Sequence, residues 1–185
     1  AKAMDHVGYP EERRRGHGFS SLLRIIIGQQ LSVKAAATIA ARVEAALGDQ
    51  APAEKLAALG DDEMRALGMS RQKVVYCRGL CDAYLGGGLR IDQWPHLDDK
   101  TVLDEITALK GFGRWSAEMY LMFSLGRPDI WPADDLAVQE AVKRLEGLKD
   151  RPKAKQMDEI GKKWRPHRSS MALFLWHYYA KTPAL

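Results

Sequence analysis

The stretch Leu109-Lys110-Gly111-Phe112-Gly113-Arg114-Trp115-Ser116-Ala117, with Trp131-Pro132-Ala133-Asp134-Asp135 a short helix further on, decides how this chain reads. Two glycines separated by one residue, between segments of helical periodicity, give helix, tight turn, helix. Glycine tolerates positive φ and lets another molecule come close to the backbone. The amides after Gly111 open a helix, whose first N–H groups and positive dipole end attract an anion. A phosphate is the natural guest, although an ordinary helix–helix turn carries the same glycines. The acidic pair downstream and the aromatics on both sides tip the reading towards a binding turn.

Outward from the hairpin, every segment reads as helix. Asp98-Asp99 cap a helix through Leu103 and Ile106 that leads into the turn, and Trp115 to Leu125 is apolar nearly all round, as a central helix is. Asp134-Asp135 open a helix reaching Leu145. Ser70 caps a helix with Val74, Val75, Leu80, Cys81 and Tyr84 on one stripe, ended by Gly86-Gly87-Gly88. That glycine run is a stop rather than a phosphate loop, because no strand precedes it and no helix follows at once. Pro52 and Asp61-Asp62 start short helices, and Gly68 ends the second. Ser32 caps an alanine-rich helix (35–46) that ends at Gly48, and Phe19, Leu22, Leu23, Ile25, Ile26 and Ile27 form an apolar helix stopping near Gly28. Arg13-Arg14-Arg15 beside Glu11-Glu12 is a solvated charge run or a DNA arm. Pro152 begins a basic stretch, and Arg168 to Tyr179 closes the chain as an apolar, aromatic helix. The total is about ten helices without strand-type alternation, an all-α fold.

A chain of 185 residues is one domain or two small lobes, long enough to bury a core. Its 46% hydrophobic and 28% charged residues are ordinary globular values. A net charge of +4 and a pI near 9.1 permit a nucleic-acid partner. Cys77 and Cys81 stand one helical turn apart, poor geometry for a disulfide and too few ligands for a metal centre. They read as buried thiols in a reducing cytoplasm. No apolar run reaches the ~20 residues of a membrane span, and the N-terminus lacks a signal-peptide core. The expectation is a cytoplasmic protein with no membrane partner.

Four segments together resemble a known family. Gly28-Gln29-Gln30-Leu31-Ser32-Val33-Lys34-Ala35-Ala36, Leu67-Gly68-Met69, Gly113-Arg114-Trp115-Ser116-Ala117 and Pro132-Ala133-Asp134-Asp135 are similar, in this order, to helix-hairpin-helix (HhH-GPD) DNA glycosylases of the DNA-3-methyladenine glycosylase II type. The likeness runs from about Phe19 to Tyr178. It implies two helical lobes with the active site in the cleft between them. Residues 20–127 would form the lobe with the hairpin, and 1–19 plus 128–185 the lobe carrying the catalytic aspartate. The chain is expected to lack the N-terminal β domain common in this type. The implied activity is that of a monofunctional glycosylase excising alkylated purines in base excision repair. The rivals are a same-fold glycosylase for hypoxanthine, ethenoadenine or uracil, and a non-catalytic helix-hairpin-helix DNA-binding module. The implied partner is double-stranded DNA with damaged bases, met by a bacterial, nucleoid-associated monomer.

Cleaving an N-glycosidic bond develops positive charge on the sugar, which a fixed carboxylate stabilises while it orients or deprotonates water. Asp135 matches the family's catalytic aspartate, which leaves helix capping to Asp134; taken alone, both acids read as N-caps. A base in a duplex must be flipped out and stacked on aromatic faces. Trp115 and Trp176 match the family's pocket aromatics, with core packing the other reading of Trp176. Met119 stands where this type often has tyrosine. Strand-nicking relatives carry a lysine at the position of Trp115, so the resemblance implies water as nucleophile and an abasic product. For DNA contact it points to Gly111, Gly113 and Arg114 at the hairpin, and to Gln30 as the residue filling the gap, unless Gln30 only caps a helix. Lys162 and Arg165, in a basic segment with interleaved aromatics, add backbone contacts or form a solvated helix end. The carbonyls of Thr107, Leu109 and Phe112 match those that hold a monovalent cation, Na+ or K+, bridging to phosphate. No cofactor is required, and two cysteines cannot hold the four-cysteine iron–sulfur cluster of another branch.

Overall fold

The computed structural model describes residues 2–48, 50 and 52–182. Among them lie eleven α-helices and two 3₁₀ turns, with no strand. The helix beyond the expected count is α1 (Lys2–Val7), in the segment read only as charged. The chain divides into two compact units, 15–120 and 1–14 with 121–185.

The first unit holds α2 (Phe19–Gly28), α3 (Val33–Leu47), α4 (Pro52–Ala58), α5 (Asp61–Ala66), α6 (Arg71–Leu85), a 3₁₀ turn at Ile91–His96, α7 (Asp99–Thr107) and the start of α8 (Arg114–Phe123). Three of its helices, α3, α6 and α7, begin where a side-chain oxygen takes an orphan amide. Ser32 Oγ accepts Ala35 N–H at 3.3 Å, Ser70 Oγ accepts Lys73 N–H at 3.3 Å, and Asp98 Oδ1 accepts Thr101 N–H at 2.9 Å. Core formation centres on α2, whose Phe19, Leu22, Leu23, Ile25, Ile26 and Ile27 are all buried against α3, α4 and α6. Each such side chain contributes roughly 1.5–3 kcal/mol on leaving water. Val75, expected on the buried stripe of α6, is exposed, while Lys73 on the same helix is buried. Cys77 and Cys81 are free and buried, and burial pushes their thiols up to about 12 and about 11.

The second unit holds α1, the end of α8, α9 (Leu136–Glu146), α10 (Ala154–Gly161), a 3₁₀ turn at Lys162–Trp164 and α11 (Arg168–Lys181). Helices α9 and α11 pack together. Arg144 fastens the pair: it donates to the Thr182 carbonyl at 2.6 Å and lies 4.7 Å over the Tyr179 ring. His177 Nε2 and Lys181 Nζ meet the Val7 carbonyl at 2.9 and 3.1 Å, which ties α1 to α11. Helix α10 comes so near Trp131 that a Cβ on Gly161 would lie 2.6 Å from the indole nitrogen. That nitrogen donates to the Met157 carbonyl at 2.9 Å. No helix among the described residues is long and apolar enough to cross a membrane.

Candidate active site

In the unit 121–185 a short loop, Trp131–Asp135, delivers the acidic pair. It is fixed from several sides. Ala133 N–H donates to Trp131 O at 2.9 Å, Gln139 Nε2 to Ala133 O at 2.7 Å, and Asp135 N–H to Pro132 O at 3.1 Å. Upstream, Arg168 grips Asp129 with Nε at 2.6 Å and Nη2 at 2.9 Å, and Ser169 Oγ bridges Ile130 N–H and Arg127 O.

Asp135 is itself the N-cap of α9: its Oδ1 accepts Val138 N–H at 2.9 Å. The expectation that Asp134 takes the capping role is therefore corrected. Asp134 is exposed and precedes the cap by one residue. The same Oδ1 accepts the Trp176 Nε1–H at 3.0 Å, and the Trp176 ring lies 5.9 Å from that of Phe123. One oxygen thus holds two N–H donors, at the positive end of the α9 dipole. These two bonds fix the orientation of the carboxylate.

In the unit 15–120 the hairpin joins α7 to α8. Leu109 O accepts Phe112 N–H at 3.1 Å and Gly113 O accepts Ala117 N–H at 3.2 Å, closing the turn and opening α8. Gly111 is the left-handed residue, with φ 91°, and a Cβ there would overlap the Tyr76 ring. Gly113 lacks positive φ, and a Cβ there would meet nothing within 4 Å. Thr107, the last residue of α7, has its hydroxyl on the Leu103 and Asp104 carbonyls. Arg114 Nε donates to the buried Glu118 at 2.8 Å.

Trp115, 43% exposed, lines two hollows of this unit. One, of about 430 Å³, is mostly apolar, with Ile25, Leu31, Ala36 and buried Met119, and includes Arg15 and Arg24. The other, of about 380 Å³, is polar, with Gln29, Gln30, Gln72, Lys73 and Tyr76. Gln30 is the non-glycine residue with positive φ, 55°, among the described residues. Gln29 and Lys73, which sequence reasoning passed over, hold its neighbours: Gln29 Nε2 donates to Gly111 O at 2.7 Å and Lys73 Nζ to Ile27 O at 2.6 Å. A lysine inside an apolar helical stripe was the available signal for the second. Lys162 donates to Glu159 at 2.6 Å and Lys163 to Glu146 at 2.6 Å, so this basic segment is partly neutralised by its own acids, while Arg165 is exposed.

Known proteins resemble this chain in sequence and in fold. YfjP of Bacillus subtilis is 31% identical over 165 residues, a match covering 85% of this chain and 58% of YfjP. The chain thus spans rather more than half of that relative. The crystal structure of a DNA-3-methyladenine glycosidase from Bacillus halodurans has a TM-score of 0.82 at 34% identity, over 92% of this chain and 79% of that one. The Schizosaccharomyces pombe 3-methyladenine DNA glycosylase Mag1, solved in complex with abasic DNA, has a TM-score of 0.84 at 27% identity, over 95% and 88%. The family model described as HhH-GPD superfamily base excision DNA repair protein matches residues 23–167, and with the all-helical fold and hairpin in place the chain belongs to that superfamily.

Proposed function

We propose that this protein is a monofunctional DNA glycosylase that removes alkylated purines of the 3-methyladenine type from duplex DNA. The observation that carries the reading is the Asp135 carboxylate, oriented by Val138 N–H and Trp176 Nε1–H in a chain of this superfamily. The C1′–N bond breaks with its electron pair leaving on the base, and a water oxygen bonds to C1′. Asp135 stabilises the positive charge that builds on the sugar and takes the water's proton. Trp115 with Met119, and Trp176, are the base-contacting residues, and Gln30 fills the space vacated in the duplex. An electron-rich indole attracts a cationic alkylated purine by roughly 0.5–2 kcal/mol.

The hairpin takes backbone phosphates where Gly111 and Gly113 let the strand approach, through the amides from Gly113 to Trp115 that open α8, with Arg114 adding charge, a grip blind to base sequence. Arg165, exposed, adds charge to the backbone contact more readily than Lys162, which already has Glu159. The Thr107, Leu109 and Phe112 carbonyls are hard oxygen donors where α7 ends, at its negative pole, and suit Na+ or K+. Such an ion, when bound, neutralises phosphate charge there.

The test is a set of duplexes, each with one 7-methylguanine, ethenoadenine, hypoxanthine or uracil, assayed for alkali-labile sites. Base release from an alkylated purine, with strand breaks only after alkali, is expected. No release from any lesion overturns the enzyme reading. A covalent adduct trapped by borohydride overturns the hydrolytic one, since Trp115 offers no amine.

A further inference from the structure

Gln30 holds a conformation that its own chemistry disfavours. At φ 55° its Cβ crowds the following carbonyl, a clash glycine would avoid, yet the nearby Gly28 is spent as the last residue of α2. Such a residue persists only where its surroundings over-determine it. Three ties do so here, and they close on one another. Lys73, on α6, bonds the Ile27 carbonyl in the last turn of α2. Gln29 reaches from the turn to the Gly111 carbonyl in the hairpin. Gly111 packs against the ring of Tyr76, again on α6, whose hydroxyl accepts from Gln72. The three ties run around the polar hollow of about 380 Å³.

The first tie carries a cost that a merely stabilising contact would avoid. Lys73 is only 9% exposed, and its one hydrogen-bond acceptor among the described residues is a neutral carbonyl. Burial lowers its pKa, as expected for an ammonium taken from water without a carboxylate nearby. An apolar side chain would fill the space more cheaply but could not hold Ile27 O.

We infer that Gln29 and Lys73 are positioning residues that lock the insertion turn at Gln30 and the hairpin into one rigid element before DNA arrives. This rests on the gap-filling role proposed for Gln30. The hairpin's grip on phosphate then fixes where Gln30 stands, and extrusion of the nucleotide does not have to reorder the turn.

The test uses a duplex with one 3-deaza-3-methyladenine, which resists cleavage, beside 2-aminopurine as a reporter of unstacking. Gln29→Ala, Lys73→Met and Gln30→Ala should each lower the flipped population about tenfold, the loss of one buried hydrogen bond or of the wedge itself. The double variant Gln29→Ala/Gln30→Ala should be no worse than Gln30→Ala alone, because Gln29 acts through Gln30. Lys73→Arg should restore flipping, and affinity for undamaged duplex should stay at the parental value in Gln29→Ala, Lys73→Met and Lys73→Arg. Multiplying losses in the double variant, or a parallel loss of undamaged-duplex affinity, would reduce both residues to supports of the fold. If Gln30→Ala alone leaves flipping intact, the gap-filling role fails and this inference with it, while base release through Asp135 stands or falls on its own assay. If Gln30→Ala impairs flipping and Gln29→Ala does not, only the positioning role is lost.

Discussion

The two units place their functional groups by different means. In 15–120 the geometry is in the main chain: Gly111 at φ 91° against the Tyr76 ring, and Gln30 at φ 55°. In 121–185 it is in side-chain bonds: Asp135 between Val138 N–H and Trp176 Nε1–H, and Arg168 forked on Asp129. A site built from backbone dihedrals is most sensitive to an added methyl group, even where side-chain bonds such as those of Gln29 and Lys73 hold it. A site built from charge-assisted bonds is most sensitive to the loss of a charge. The contrast matches the proposed tasks, since a phosphate grip needs close approach and a developing cation needs a fixed negative charge.

The largest break in this contrast should come from Asp135→Asn. Asparagine keeps the cap, because its side-chain oxygen accepts the same two N–H groups, so the melting temperature should barely move. Base release should fall by about 10²–10³-fold or more, with DNA affinity retained. Single-turnover kinetics beside a binding isotherm decide it. Asp134→Asn, at an exposed position that does not cap, should be close to parental; equal losses from the two changes would remove Asp135 from its role.

Next comes the methyl group. Gly111→Ala has to relieve both a left-handed φ and an overlap with Tyr76, and should destabilise the unit by roughly 1–3 kcal/mol, seen as a lower melting temperature. Gly113→Ala has open space around its Cβ and should melt like the parent, while weakening binding to damaged and undamaged duplex alike. Parental DNA binding by Gly113→Ala would mean that the hairpin is only a turn.

Acid should produce the smallest effect and sharpen the comparison from the other side. Hydrogen bonds from Arg168 hold the Asp129 carboxyl below its ordinary 3.8, outweighing the opposing effect of burial. A depressed carboxyl pKa contributes stability that is complete above 3.8 and is lost as pH falls through the folded value. Asp129→Asn should therefore cost about 1 kcal/mol at pH 7, and the gap to the parent should close below pH 3.8. A gap that stays constant with pH would show the pair to be held by shape rather than charge.

Local rules made most of the helices legible. Ser32, Ser70 and Asp98 cap where the sequence implied, and Gly48 and Gly86 end helices where expected. These signals lie within a few residues of what they determine. The misplacements share one cause. Asp134 and Asp135 satisfy the same capping rule, and only the loop path from Trp131, with Trp176 waiting 41 residues on, selects between them. Of the two hairpin glycines, Gly111 is the left-handed one, and the ring that leaves no room for a Cβ there belongs to a tyrosine 35 positions upstream, outside any local window. Gln30 takes a positive φ that no local rule assigns to it, next to Gln29, whose side chain bonds across 82 residues. In the basic segment, the composition of Lys162 and Lys163 announces charge but does not reveal the glutamates beside them.

Cys77 and Cys81 bear on survival as well as packing. Methylating agents that damage purines also attack thiolates, the softest nucleophiles a protein offers. Burial pushes the Cys77 thiol up to about 12, so it stays protonated at neutral pH. Both sulfurs are also buried, Cys77 with its hydrogen towards Met69 Sδ and Cys81 with its own towards the Ala53 carbonyl, each at 3.7 Å. Two thiols held protonated and out of solvent offer little thiolate to the electrophiles that create the proposed substrates.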